Sequence, residues 1–258
     1  MGLVVKVAFR VAMRKNVCFM DTNESEVYGK RPIPGIPEII APGIMVVKKL
    51  WLPFVLIQFV GLVVVILYFS WPMFQGWCDA VGRVKVSMGV FFAMLVMPIA
   101  GGVVPELFKH VTGVDRVWDR KRLNHLLMAM FAFCLAGLFV DTFYAFLARA
   151  FGDSSTFGVV VAKVAIDQAI YSPLVGVTWL AFCFTFERVG YSISRLWAVL
   201  KDSWYRREVA PMLVVCWAYW LPMTSLMYSL PTSLTFVFGA IASSASAILL
   251  VAVARRHD

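Results

Sequence analysis

The fold this sequence predicts is all-α: a polytopic transmembrane helical bundle of about six spans with both termini cytoplasmic. Three observations predict it. The 258 residues are 61% hydrophobic and only 15% charged, with a mean hydropathy of +0.80, whereas a soluble domain is nearer half apolar and a quarter charged. The apolar excess is gathered into uncharged runs of about twenty residues, the length a helix needs to cross a hydrocarbon core. Basic residues collect in alternate connections, as they do on the cytoplasmic side of membrane proteins. That bias accounts for the net charge of +9 without a nucleic-acid partner; the expected partner is the lipid bilayer. Cys18, Cys78, Cys134, Cys183 and Cys216 are scattered, with no Cys-x-x-Cys and no ligand spacing, so neither a metal nor another cofactor is expected.

Residues 1–49 read as a basic amphipathic head followed by a Pro-rich linker, and residues 50–256 as the bundle. In the head, Lys6, Arg10, Arg14 and Lys15 precede the first acid, Asp21, with apolar residues between them. That pattern suits a helix lying on a membrane surface or an organelle presequence, against which the lack of Ser and Thr before Thr22 counts. Pro32, Pro34, Pro37 and Pro42 then predict an extended linker over 29–43 rather than a helix.

The first span is expected over 50–71, with Lys48 and Lys49 before it and Trp51 and Trp71 at its ends as interfacial aromatics. The second covers 86–105. Its end holds Pro98, Gly101, Gly102 and Pro105, breakers that predict unwinding where protein or water covers the backbone. Span three runs over 124–148, interrupted by Asp141, and span four over 158–186. Residues 209–254 carry no charge and are too long for one crossing, so Pro222 and Pro231 divide them into spans five and six near Leu230. The connections 108–124 and 187–208 are basic, whereas 72–85 and 149–157 are short and nearly neutral. Six spans put every basic connection on one side.

Span four holds the most informative stretch. Lys163, Asp167 and Gln168 lie in it, followed by Pro173. A charge at mid-membrane costs about 2.5–3.5 kcal/mol on insertion scales, so such residues face a bundle interior or a wet cavity. Lys163 and Asp167 are four apart and share a helix face. Pro173 deprives the carbonyl of Ala169 of its α-helical donor and predicts a kink. Counted from the hairpin centre at Asp153, Asp141 is twelve residues back, while Lys163 and Asp167 are ten and fourteen forward. At a common rise, Asp141 lies at a depth between the other two, which predicts Lys163 held between two carboxylates, with Tyr144 on the same face as Asp141. The residues expected to line a pore or solute site are therefore Asp141, Tyr144, Lys163, Asp167 and Gln168.

Lesser signals surround that cluster. Glu106 reads as an interfacial residue, and His125 stands alone. Gly239, Ser243 and Ala247, like Ala240 and Ser244, repeat at four-residue intervals, a spacing that lets helices approach closely within the chain or, second, in a homo-oligomer. No His-Glu-x-x-His or Gly-x-Ser-x-Gly occurs, and no enzymatic activity is expected. Asp141 and Asp167 lack the Tyr-Asp and Gly-x-Gly-Asp surroundings of intramembrane aspartyl proteases.

The stretch Lys163-x-x-x-Asp167-Gln168 with Pro173 five residues on resembles the signature of the family of the 22-kDa peroxisomal membrane protein and Mpv-seventeen. Gly137-Leu-Phe-Val-Asp141-Thr-Phe143-Tyr144 is similar to that family's Gly-Pro-x-x-His-x-Trp-Tyr, with Leu138 for Pro, Asp141 for His and Phe143 for Trp. Trp217 to Pro222 and Tyr228 to Pro231 resemble its Trp-Pro…Asn-Phe…Val-Pro region more loosely. The likeness covers about residues 85–250, those of a divergent member. It implies a non-enzymatic, weakly selective pore for small polar solutes or ions. The chain ends Arg-His-Asp rather than in a peroxisomal tripeptide, so a bacterial inner membrane and an organelle membrane both remain open. Two functional readings stand: a channel or pore lined by an Asp–Lys–Asp cluster, and a non-transporting scaffold or assembly protein in which that cluster is a latch.

Overall fold

The structure, a computed structural model, describes residues 35–113 and 117–255, with side chains as far as Ser246. Among the described residues there are eight helices and no strand: α1 (Ile36–Ser70), α2 (Pro72–Met88), α3 (Val90–Thr112), α4 (Arg120–Phe151), α5 (Phe157–Arg188), α6 (Ile193–Lys201), α7 (Tyr205–Tyr228) and α8 (Thr232–Arg255). Helices α3, α5 and α7 each contain a widened π-helical stretch, at Ile99–Val103, Asp167–Gly176 and Tyr205–Val209 respectively.

Helices α1, α3, α4, α5 and α7 are long and apolar enough to cross a membrane. The sixth expected span corresponds to α8, whose described apolar part is Thr232–Ser246. Helix α1 shows how the bundle meets its surroundings. Val46, Leu50, Phe54, Gly61, Val65 and Tyr68 form one buried stripe at helical spacing. Trp51, Leu52, Val55, Leu56, Phe59 and Val60 cover its other faces and are exposed. Apolar surface of that extent belongs against hydrocarbon rather than water. The chain is a multi-pass membrane protein.

Three expectations about elements are corrected. Residues 36–49 belong to helix α1 and not to an extended linker, so the boundary placed between 49 and 50 falls inside a helix. Pro37 stands in its first turn, where no backbone donor is needed, and Glu38 reaches back to the N–H of Gly35 (3.3 Å). Pro42 does cost a ladder bond, but tertiary contact holds the turn. A Cβ at Gly43 would lie 2.7 Å from both the carbonyl oxygen of Pro211 and Cβ of Val214, so α1 and α7 cross almost backbone to backbone there. The basic head, residues 1–34, lies outside the described residues.

The connection expected over 72–85 is the helix α2. Pro72 suits its first position, and Gly82 packs against Ser233 and Leu234 of α8. Breakers in α3 widen the helix without unwinding it. The turn Ile99–Val103 stays helical, because Ala100, Gly101 and Gly102 are buried in protein and a wide turn keeps most of their backbone groups paired.

The α1–α2, α4–α5 and α7–α8 connections share one end of the bundle. There Tyr68 donates to Asp79 (3.0 Å) and Thr232 to Asp153. The opposite end gathers Lys109, Arg122, Arg188, Arg206 and Arg207.

Candidate functional site

Two cavities lie in the bundle, one toward the end away from the basic residues and one near mid-height. An outer vestibule of about 640 Å³ is bounded by α2, α4 and α8, with Lys85, Asp141, Arg149, Asp153 and Thr232 in its wall. Deeper lies a chamber of about 70 Å³ between α3, α4, α5, α7 and α8, with Asp167, Gln168, Ser172, Thr224 and Ser243 in its wall. Tyr144 and Phe236 line both. Those two rings stand where the two cavities adjoin.

The expected Asp–Lys–Asp cluster is not formed. Asp141 is met by Lys85 of α2, whose Nζ lies 2.6 Å from its Oδ1. Lys163 donates instead to the carbonyl of Gly152 (2.9 Å), at the C-terminal end of α4, and lines neither cavity. Hairpin counting gave the heights of these residues but not the direction of a long side chain. A helical side chain leans toward its helix N-terminus, here the outer end, and a lysine stem carries its charge that way to an unpaired helix-terminal carbonyl. Asp141 and Lys163 thus meet different partners.

A double-mutant cycle distinguishes the two pairings. Lys85→Met with Asp141→Asn should show a coupling of about 0.5–3 kcal/mol in thermal stability. Lys163→Met with Asp141→Asn should be additive within about 0.5 kcal/mol. Equal coupling in both cycles would contradict the observed pairing.

Asp167 and Gln168 open the widened stretch of α5. The carboxylate of Asp167 accepts from Tyr228 at Oδ2 (2.6 Å), and from Gln168 Nε2 (3.1 Å) and Ser172 (3.5 Å) at Oδ1. No cation pairs with it among the described residues, and it is only 4% exposed. The bond to Asp167 orients the Gln168 amide, and the other end of that amide, Oε1, has no hydrogen-bond partner. Pro173 acts differently from the expected loss at Ala169. In a π-helical ladder the missing donor is the one owed to the residue five back, Gln168. The indole of Trp217 on α7 supplies it, donating to the Gln168 carbonyl at 2.9 Å.

Tyr144 packs edge-on against Tyr228 at 5.8 Å, and its hydroxyl points at Met227 Sδ, 3.7 Å away. Tyr171 stacks on Phe143 at 4.4 Å. No family model, curated protein or solved structure matches this chain.

Of the expected site residues, Asp141 and Tyr144 reach the vestibule, and Tyr144, Asp167 and Gln168 reach the chamber. Pro173 shapes the backbone beside it. Sequence reasoning missed Lys85, Ser172, Tyr228, Thr224 and Phe236. Lys85 lay in a stretch taken for a simple connection, although its charge beside an apolar run was a usable signal. Phe236 is one aromatic among many and carried none.

Other lone signals find partners. His125 Nδ1 lies 2.9 Å from the Glu187 carboxylate. Glu106 is buried within the protein at the basic end, and it accepts from Arg122 Nε (3.0 Å) and from Lys109. The rows of small residues on α8 serve contacts within the chain. Gly239 faces Met227, and Ser244 donates to the carbonyl of Ala100 (3.3 Å). Ala247 lies beyond the described side chains.

Proposed function

We propose that this membrane protein lets small polar solutes pass through the bundle, entering at the vestibule, crossing between Tyr144 and Phe236, and occupying the chamber at Asp167 and Gln168. One observation carries the reading: two cavities with polar groups in their walls share those two residues, so movement of two side chains would join them. Polar groups in a membrane interior are expensive unless paired or used, and Asp167 has no countercharge among the described residues. The role needs no covalent chemistry. The likeness of residues 163–173 to the 22-kDa peroxisomal and Mpv-seventeen family supports the same reading, and we place the chain there as a divergent member.

The test is flux from liposomes holding the purified full chain. Phe236→Ala should raise the rate by opening the way between the two cavities, and Asp167→Asn should alter the preference between cations and neutral solutes. Absence of flux in the wild type and in Phe236→Ala alike would remove the proposal. It would favour the second reading, a non-transporting assembly protein. The Glu106–Lys109–Arg122 cluster supports that alternative, being an ion network that ties α3 to α4 and lines neither the vestibule nor the chamber.

A further inference from the structure

The polar groups around the chamber are unequal in kind. Thr224 donates its hydroxyl proton to the carbonyl of Trp220 (2.7 Å), and Ser243 donates to that of Gly239 (2.9 Å). Ser172 turns its proton toward Asp167 Oδ1 (3.5 Å). What these three can still offer a guest is lone pairs. Asp167 adds a carboxylate with no cation beside it, and Gln168 adds a carbonyl oxygen that no donor meets. A buried acceptor left unmet costs about 1–3 kcal/mol, and a native structure seldom keeps one without use. The remainder of the wall is mostly rings and aliphatic groups, among them Phe133, Tyr171, Trp220 and Phe236, with the hydroxyls of Tyr144 and Tyr171 and the indole N–H of Trp220 as its donors.

We infer that the chamber is a binding site for a small organic monocation bearing N–H groups, a primary ammonium of about methylammonium size. Each feature of the wall selects part of that ligand. The carboxylate provides the countercharge, and the N–H groups reach acceptors that a quaternary ammonium would leave bare. The aromatic faces attract a desolvated cation, while the apolar wall receives its alkyl part. The volume of about 70 Å³ admits only a small guest. A bare sodium ion fits less well, since it would surrender its hydration shell to a largely apolar wall. An anion would face the Asp167 carboxylate, a like charge with no cation beside it to offset it.

This assignment rests on the chamber being part of the proposed solute route, but equilibrium binding tests it separately from flux. The probe is radiolabelled methylammonium, titrated onto the full chain in lipid nanodiscs, with unlabelled tetramethylammonium and sodium chlorides as competitors. Saturable binding is expected, displaced by excess methylammonium and at least about tenfold more weakly by the other two. Asp167→Asn should weaken binding by about tenfold or more. Ala240→Val, which fills the chamber from the α8 side, should weaken it comparably while keeping every polar group. The second variant guards against a fold defect in the first, and each must elute and melt as a folded protein. Binding without flux would leave the site standing and remove the transport proposal. Flux without saturable methylammonium binding would overturn the site, as would equal competition by tetramethylammonium or binding indifferent to both substitutions.

Discussion

Replacing Glu106 by leucine should lower the stability of the bundle by about 3–5 kcal/mol, the cost of breaking a buried ion pair from one side. Glu106 is 4% and Arg122 6% exposed. Arg122 donates through Nε to the Glu106 carboxylate and through Nη2 to its backbone carbonyl, both at 3.0 Å, while Lys109 closes on the same carboxylate. The guanidinium also lies 4.2 Å from the ring centre of Trp118. Removing the carboxylate leaves two cations facing each other with little water to screen them. Thermal unfolding in detergent, followed with a thiol-reactive dye, reads the loss, because the free thiols of Cys183 and Cys216 are buried and react on unfolding. The triple replacement Glu106→Leu, Lys109→Met, Arg122→Met should recover most of the loss, since an apolar trio carries no desolvation cost. An unchanged midpoint for Glu106→Leu alone would show that the network contributes nothing.

The second large effect is expected at Gly137. A Cβ there would sit 2.5 Å from the carbonyl oxygen of Ala93 and 2.9 Å from its carbon. Those are backbone atoms of α3 and cannot swing aside as a side chain would. Gly137→Val must therefore push α3 and α4 apart, at a cost of about 3 kcal/mol, the upper part of the range for overpacking. Met97 of α3 and Phe133, Val140 and Tyr144 of α4 all border the chamber, so the same shift should reduce methylammonium binding and solute flux. Gly76→Ala is the control. Nothing lies within 4 Å of its Cβ position on α2, and it should be neutral or stabilise by about 0.5–1 kcal/mol through helix propensity. If the two variants melt together, the close α3–α4 approach does not limit stability.

The two sites differ in how legible they were. Asp167 and Gln168 announced themselves, because a carboxylate and an amide in a spanning run are costly unless something in the interior uses them. Both are buried and both border the chamber. At Pro173 the turn is wider than an α-helix, and the carbonyl it leaves open belongs to Gln168 rather than the expected Ala169. Lys163 misled. Its spacing from Asp167 and its matching height with Asp141 are properties of an ideal helix, and neither says where a flexible stem of four methylenes ends. Lys85, the partner Asp141 has, is 56 residues away in sequence. No local pattern links the two.

The helical, membrane-embedded character of this protein is settled by its sequence, because long apolar runs and basic bias are local quantities that hydrocarbon and water read directly. The five long apolar helices bear that out, and the helical start at Ile36 shows its limit. Proline counts predicted an extended chain there, and packing of Gly43 on Pro211 and Val214 overrode them. Tertiary structure alone decided which carboxylate meets which cation, and which aromatic residues border both the vestibule and the chamber. It also decided that Asp167 is held by Tyr228, Ser172 and Gln168 with no countercharge among the described residues. The physical reason is range: burial of an apolar run follows from its own composition, whereas a charge or a lone pair finds its partner across the bundle, at angles and distances that only the packed helices define.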